Sequence, residues 1–152
     1  MSKKRIPIPR RAILGGLLFS AALAGAASLG VMGAVYTPQS EDFAFTRGTT
    51  FASGEENRLK AYVDPFVMDE RVAFRVTGHT GTQGDDSANM TLSENRAKIA
   101  SDILRLMGVP SERISWVGGV AGGAPLEKMD SESQREYERR LSRVTIQTVA
   151  VQ

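Results

Sequence analysis

The stretch VTGHTGTQGDDSANMTLSENRAKIASDIL, Val76 to Leu104, decides how this chain is to be read. It passes from alternating apolar residues through Gly78, Gly81 and Gly84 into a segment with the period of a helix. A strand, a glycine-rich turn and a helix together raise the question of a phosphate cradle, because helix N-termini attract anions. The spacing excludes one. The glycines stand three apart, which is neither G-x-G-x-x-G nor a P-loop, and no Lys-Ser/Thr pair follows them.

The segments on either side continue the alternation. Phe43-Ala44-Phe45 has a strand's period of two. TFASGEENRLKAYVDPFV, from Thr50, predicts an amphipathic helix with Ser53 as N-cap, Glu55 and Glu56 in the first turn, and Leu59, Val63 and Phe66 on the buried face. RVAFRVTG predicts a strand with Val72, Phe74 and Val76 on one side. In the next helix Leu92, Ile99, Ile103 and Leu106 share a face, and Gly108 with Pro110 supplies the stop. RISWVGGV predicts a short strand and SESQREYERR an exposed helix. RVTIQTVAV predicts a closing strand with Val144, Ile146 and Thr148 inward. The order is βαβαβ(α)β, an α/β (α+β) sandwich with two main helices on one face of a four-stranded mixed sheet.

Charge and hydropathy divide the chain. Its 152 residues suffice for one domain with appendages. Lys3, Lys4, Arg5, Arg10 and Arg11 precede any acid, so of 19 basic residues 14 remain against 17 acidic ones, about −3 from Thr37 onward. Such a domain is a poor phosphate-backbone binder, and no nucleic-acid partner is expected. With no cysteine, disulfides and thiolate metal sites are excluded. Ala12 to Tyr36 carries no charge and is long enough to span a bilayer. The basic flank places the N-terminus in the cytoplasm and exports the remainder.

Residues 1–36 are therefore read as a signal or transmembrane segment, 37–42 as a linker and 43–152 as the domain. Small-residue sites around Ala24 leave both a cleaved signal peptide and a retained inner-membrane anchor open. Arg10-Arg11 has part of a twin-arginine pattern, so the export route stays open too. Gly16, Ser20, Ala24 and Ser28 form a small-xxx-small ridge, which would suit a homodimer and which chance explains equally well. The linker spans only about 20 Å when fully extended.

Two linked motifs carry a resemblance to the OmpA-like peptidoglycan-binding domain family. Gly78-His79-Thr80-Gly81-Thr82-Gln83-Gly84 resembles the family's GHTDxxG except at Gly81, and Asn89-Met90-Thr91-Leu92-Ser93-Glu94-Asn95-Arg96-Ala97 resembles NxxLSxxRA throughout. MGVPSERISWVGGVAGGAP and SRVTI resemble later parts, so the likeness covers about Phe43 to Val149. It implies an exported, non-catalytic protein of a Gram-negative cell envelope. Such a protein faces the periplasm from the inner membrane, or is periplasmic or outer-membrane associated if the leader is cleaved.

The implied partner is the diaminopimelate-containing stem peptide of peptidoglycan. The resemblance implies Arg96 as the group that grips its carboxylate, with Thr80, Gly81, Asn89, Leu92 and Ser93 around the ligand. No cofactor or metal is implied. Gly81 departs from the pattern, because the family has an aspartate there; Asp85 or Asp86 is either a substitute carboxylate or a solvated loop acid. Leu141 and Ser142 also depart, standing before Arg143 where the family has Asn and Arg.

The remaining features read as structure. His79 is the only histidine and is expected at a strand end, Glu136 and Arg140 as a solvated helix pair, and Trp116 in or beside the core. Wall binding of weak affinity is the first reading. The alternative is a diverged module that contacts an envelope protein, its wall binding lost at Gly81.

Overall fold

The structure, a computed structural model, describes residues 36–151. The expectations for the leader before Tyr36, including its span, cleavage and ridge, lie outside the described residues. Among the described residues no helix is long and apolar enough to cross a membrane.

Eight elements follow in order: β1 (Ser40–Arg47), β2 (Thr50–Phe51), α1 (Glu55–Val63), β3 (Val72–Gly78), α2 (Asp86–Leu106), β4 (Ile114–Gly119), α3 (Gln134–Leu141) and β5 (Arg143–Ala150). The strands form one mixed sheet in the order β2-β1-β5-β3-β4. Only β3 and β4 run parallel, with α2 as their crossover. The four strands read from the pattern are all present. β2 is an addition, and β1 begins at Ser40, so the last residues of the linker stretch already belong to the sheet.

The alternating residues turn inward as their spacing dictates. Val72, Phe74 and Val76 of β3 and Val144, Ile146 and Thr148 of β5 are fully buried. With Phe43, Phe45, Leu59, Val63, Ala97, Ala100 and Leu104 they form the core between the sheet and helices α1 and α2.

Several local expectations are corrected. Thr50 and Phe51 do not start the helix, because Phe51 stacks on Phe45 across a hairpin (centroids 4.3 Å apart). Ser53 is not the cap. Gly54 holds the N-cap position at φ 82°, and Glu55 Oε2 accepts from Ala44 N–H at 2.8 Å, tying the helix start to β1. Pro65 closes α1 into a 3-10 turn, which leaves Phe66 only partly buried. Leu106 is 87% exposed; the buried face of α2 runs instead through Ser93, Arg96, Ala97, Ala100, Ile103 and Leu104. Arg140 pairs with Glu132 at 2.8 Å, while Glu136 closes a capping box with Ser133. Trp116 stands on the face away from the core, over Gly118, with the Arg75 guanidinium 5.7 Å from its ring centroid.

Small residues set the inward face of α2 because the helix lies almost on the strand ends. A Cβ on Gly78 would stand 1.8 Å from Ser93 O, and one on Gly119 would stand 2.1 Å from Ser93 Oγ. Gly78→Ala therefore forces backbone against backbone. Urea unfolding of the full chain in mild detergent is expected to show a loss of about 2–3 kcal/mol; a loss below about 0.5 kcal/mol would contradict this packing.

Candidate functional site

The predicted ligand residues gather where β3 ends and α2 begins. Thr80 is buried, its N–H donating to Ala121 O at 3.0 Å and its hydroxyl to Gly81 O at 3.2 Å. Gly84 turns the chain at φ 103°, and Asp85 then N-caps α2 by accepting from Ala88 N–H at 2.8 Å. Asn89 Nδ2 donates to Gln83 O at 3.0 Å, which pins the loop to the helix. Ser93 is fully buried, donating to Met90 O (2.8 Å) and accepting from Ala121 N–H (3.1 Å), while Leu92 is half-buried beside it. Gly81, Asp86 and Asn89 line a groove of about 340 Å³, facing Gly122 and Gly123 of the loop after β4.

Arg96 lies deeper. Only 3% exposed, it donates from Nε to Gly48 O at 2.8 Å and from Nη1 to His79 O at 2.6 Å, with its guanidinium carbon 5.1 Å from the Phe45 ring centroid. Gly48 belongs to the β1–β2 turn, so the unforeseen hairpin is what closes over this residue. Burial pulls the Arg96 pKa down to about 10, which still leaves it a cation at neutral pH. Among the described residues no carboxylate pairs with it. Its Nη2 makes no hydrogen bond to them.

Four residues that the sequence reading did not single out complete the surroundings. Arg143 donates from Nε to Asp42 Oδ2 (3.0 Å), from Nη1 to Leu141 O (3.3 Å) and from Nη2 to Ala124 O (3.1 Å), fastening β5 to β1 and to the loop before α3. Asp42 also accepts from the Thr145 hydroxyl, which in turn accepts from His79 Nε2 at 3.0 Å. His79 is thus the inner end of a chain of hydrogen bonds, held as the Nε2–H tautomer with Nδ1 buried and unpartnered. Glu138 of α3 reaches the glycine loop, accepting from Thr82 N–H at 2.9 Å and from the Thr82 hydroxyl at 2.8 Å. No local signal marks Glu138, because its partners lie in a distant part of the chain.

Among the described residues no three His, Cys, Asp or Glu side chains converge as metal ligands. A larger groove of about 520 Å³ between β1 and α3 is lined by Phe45, Met129, Glu132, Glu136, Arg139 and neighbours, but by none of the predicted ligand residues.

Comparison with known proteins places this geometry. A family model described as the OmpA family matches residues 49–139. Outer membrane protein A of Serratia marcescens is 35% identical over 77 residues, 50% of this chain and 21% of that protein, so the match spans about a fifth of that relative's length. The OmpA-like domain of FopA1 from Francisella tularensis is similar in structure (TM-score 0.61, 20% identity, 76% of this chain and 75% of that one). So are the peptidoglycan-associated lipoprotein of Burkholderia pseudomallei (0.60, 14% identity, 71% and 89%) and the cell wall anchor of the T6SS from Pseudomonas aeruginosa (0.59, 19% identity, 75% and 82%). At these identities the structural likeness speaks for the fold alone.

The His79 environment has a measurable consequence. Burial first, and the Arg143 charge second, push its pKa from 6.5 down to about 4, against the pull of Asp42. The folded state thus binds the proton less readily than the unfolded chain. The stability from the neutral ring is complete above about pH 6.5 and is lost as the pH falls toward 4. The Tm of the full chain should drop across that window, and His79→Gln should flatten the drop; equal slopes in both proteins would refute this role.

Proposed function

Because the chain belongs to the OmpA family, we propose that its domain is a non-catalytic module of the cell envelope that holds the diaminopimelate end of a peptidoglycan stem peptide. The observation that carries this reading is Arg96. A buried cation with no counter-ion among the described residues is costly, since desolvation is offset only in part by two carbonyls and a ring face. An incoming carboxylate would supply the missing charge, and a guanidinium with a free Nη2 can fork onto one. The contrast with Arg113 is instructive. That equally buried guanidinium gives Nε, Nη1 and Nη2 to Val72, Val67 and Phe66 carbonyls, and keeps no nitrogen for a ligand.

Around Arg96, Thr80, Ser93 and Leu92 act as the scaffold that fixes the helix against the loop. Gly81, Asn89 and Asp86 line the open groove between the loops after β3 and β4. The module faces the periplasm and positions the protein at the wall, joined to the inner membrane if residues 12–36 are retained. A second reading, docking of an envelope protein, draws on Met68 and Leu106, which are 89% and 87% exposed.

Co-sedimentation with purified diaminopimelate-type sacculi tests the first reading. The full chain in mild detergent should pellet and be released by soluble stem peptide. Arg96→Lys, which keeps the charge but loses the fork, should bind roughly 10- to 150-fold more weakly while retaining its circular dichroism spectrum. A parent protein that stays in the supernatant would sink wall binding and turn attention to the exposed Met68 and Leu106.

A further inference from the structure

Gly81 looks like an empty place in the loop, but another residue's side chain fills it. A Cβ built on Gly81 would lie 2.1 Å from Glu138 Oε2 and 3.3 Å from the carboxyl carbon. The carboxylate of α3 therefore stands where a side chain at position 81 would begin. It is held there firmly. Thr82 N–H donates to Oε2 at 2.9 Å, while the Thr82 hydroxyl (2.8 Å) and Gln134 Nε2 (2.9 Å) both donate to Oε1.

From this geometry we infer that Glu138 supplies the anionic group of the ligand site, receiving the ammonium of a zwitterionic amino-acid end whose carboxylate goes to Arg96. The inference rests on the wall-binding reading and adds to it a residue outside both sequence motifs that carry the family resemblance. A carboxylate offers about four lone-pair sites. Glu138 uses both sites on Oε1 but only one on Oε2, the oxygen nearest Gly81, so one strong acceptor remains on the loop side. Neither loop acid substitutes as well. Asp85 spends its carboxylate on the α2 cap, and Asp86 has no anchoring hydrogen bond among the described residues. Gly81 is then a partner of Glu138, because any side chain at position 81 displaces this carboxylate.

The reciprocal arrangement gives an exchange test by co-sedimentation with diaminopimelate-type sacculi, using the full chain in mild detergent. Glu138→Gln keeps the size and one acceptor oxygen but removes the charge and gives up part of the Thr82 and Gln134 hydrogen bonding. It should bind roughly 10- to 150-fold more weakly than the parent while retaining its circular dichroism spectrum. Gly81→Asp alone should not improve binding, since its carboxylate only takes the place of the one it displaces. Gly81→Asp combined with Glu138→Ala should recover most of the parent's affinity, the charge having moved from helix to loop. Sacculi cross-linked through lysine, which lack the zwitterionic end, should bind all variants weakly. If Glu138→Gln pellets as well as the parent, the inference falls and wall binding stands. If Gly81→Asp alone outperforms the parent, Glu138 is only a latch on the loop. If the parent itself does not pellet, the wall-binding reading fails and this assignment goes with it.

Discussion

The contact of α2 with the ends of β3 and β4 governs the rest of the domain. A helix normally keeps a side chain's width from a sheet, and here Gly78 and Gly119 remove that spacing so that Ser93 touches both strands. The consequences spread outward from that point. Ser93 Oγ reaches Ala121 N–H from this distance, which ties the loop after β4 to α2, while Thr80 N–H donating to Ala121 O joins that loop to the one after β3. The same approach carries Arg96, less than one turn further along the helix, beneath the β1–β2 turn. Small residues at Ala97 and Ala100 extend the close fit toward the core. Packing and site geometry are therefore one constraint.

Buried guanidinium groups are the second theme. Arg96, Arg113 and Arg143 are each at most 8% exposed, and each stitches segments distant in sequence by donating to backbone carbonyls. They differ in how far the protein satisfies them. Arg113 finds three carbonyls and Arg143 finds a carboxylate plus two carbonyls, whereas Arg96 finds two carbonyls and an aromatic face. The gradient runs from closed structural staple to unfinished site. Residue type alone does not reveal it, since only the count of acceptors, three, three and two, separates Arg96 from the others.

Legibility in the sequence followed the range of the interactions. Val72, Phe74 and Val76, or Val144, Ile146 and Thr148, could be assigned to the core because alternation is a local property. The strand-end and helix motifs placed the loop correctly between β3 and α2. Leu106 misled because hydrophobic periodicity was read through the largest side chains, while the face in contact with the sheet is made of Ser93, Ala97 and Ala100. β2 escaped notice because two residues are too few to show a period. The carboxylate of Glu138 against Gly81, and the chain from His79 through Thr145 to Asp42 and Arg143, join residues far apart in sequence. No local pattern encodes such pairings.

The start of the described chain bears on mechanics. Gln39 and Thr148 clasp each other, Gln39 N–H donating to Thr148 Oγ1 at 2.9 Å and Thr148 N–H to Gln39 O at 2.8 Å. From Ser40 the chain is paired residue by residue with β5 as far as Ala44. A pull transmitted through Tyr36 therefore meets hydrogen-bonded sheet within a few residues, with almost no slack to take up. Loaded along the strand, that ladder shares the force among its bonds, so the domain resists as a unit and yields abruptly. Under such a load it behaves as a stiff fastener with a breaking point and not as a spring.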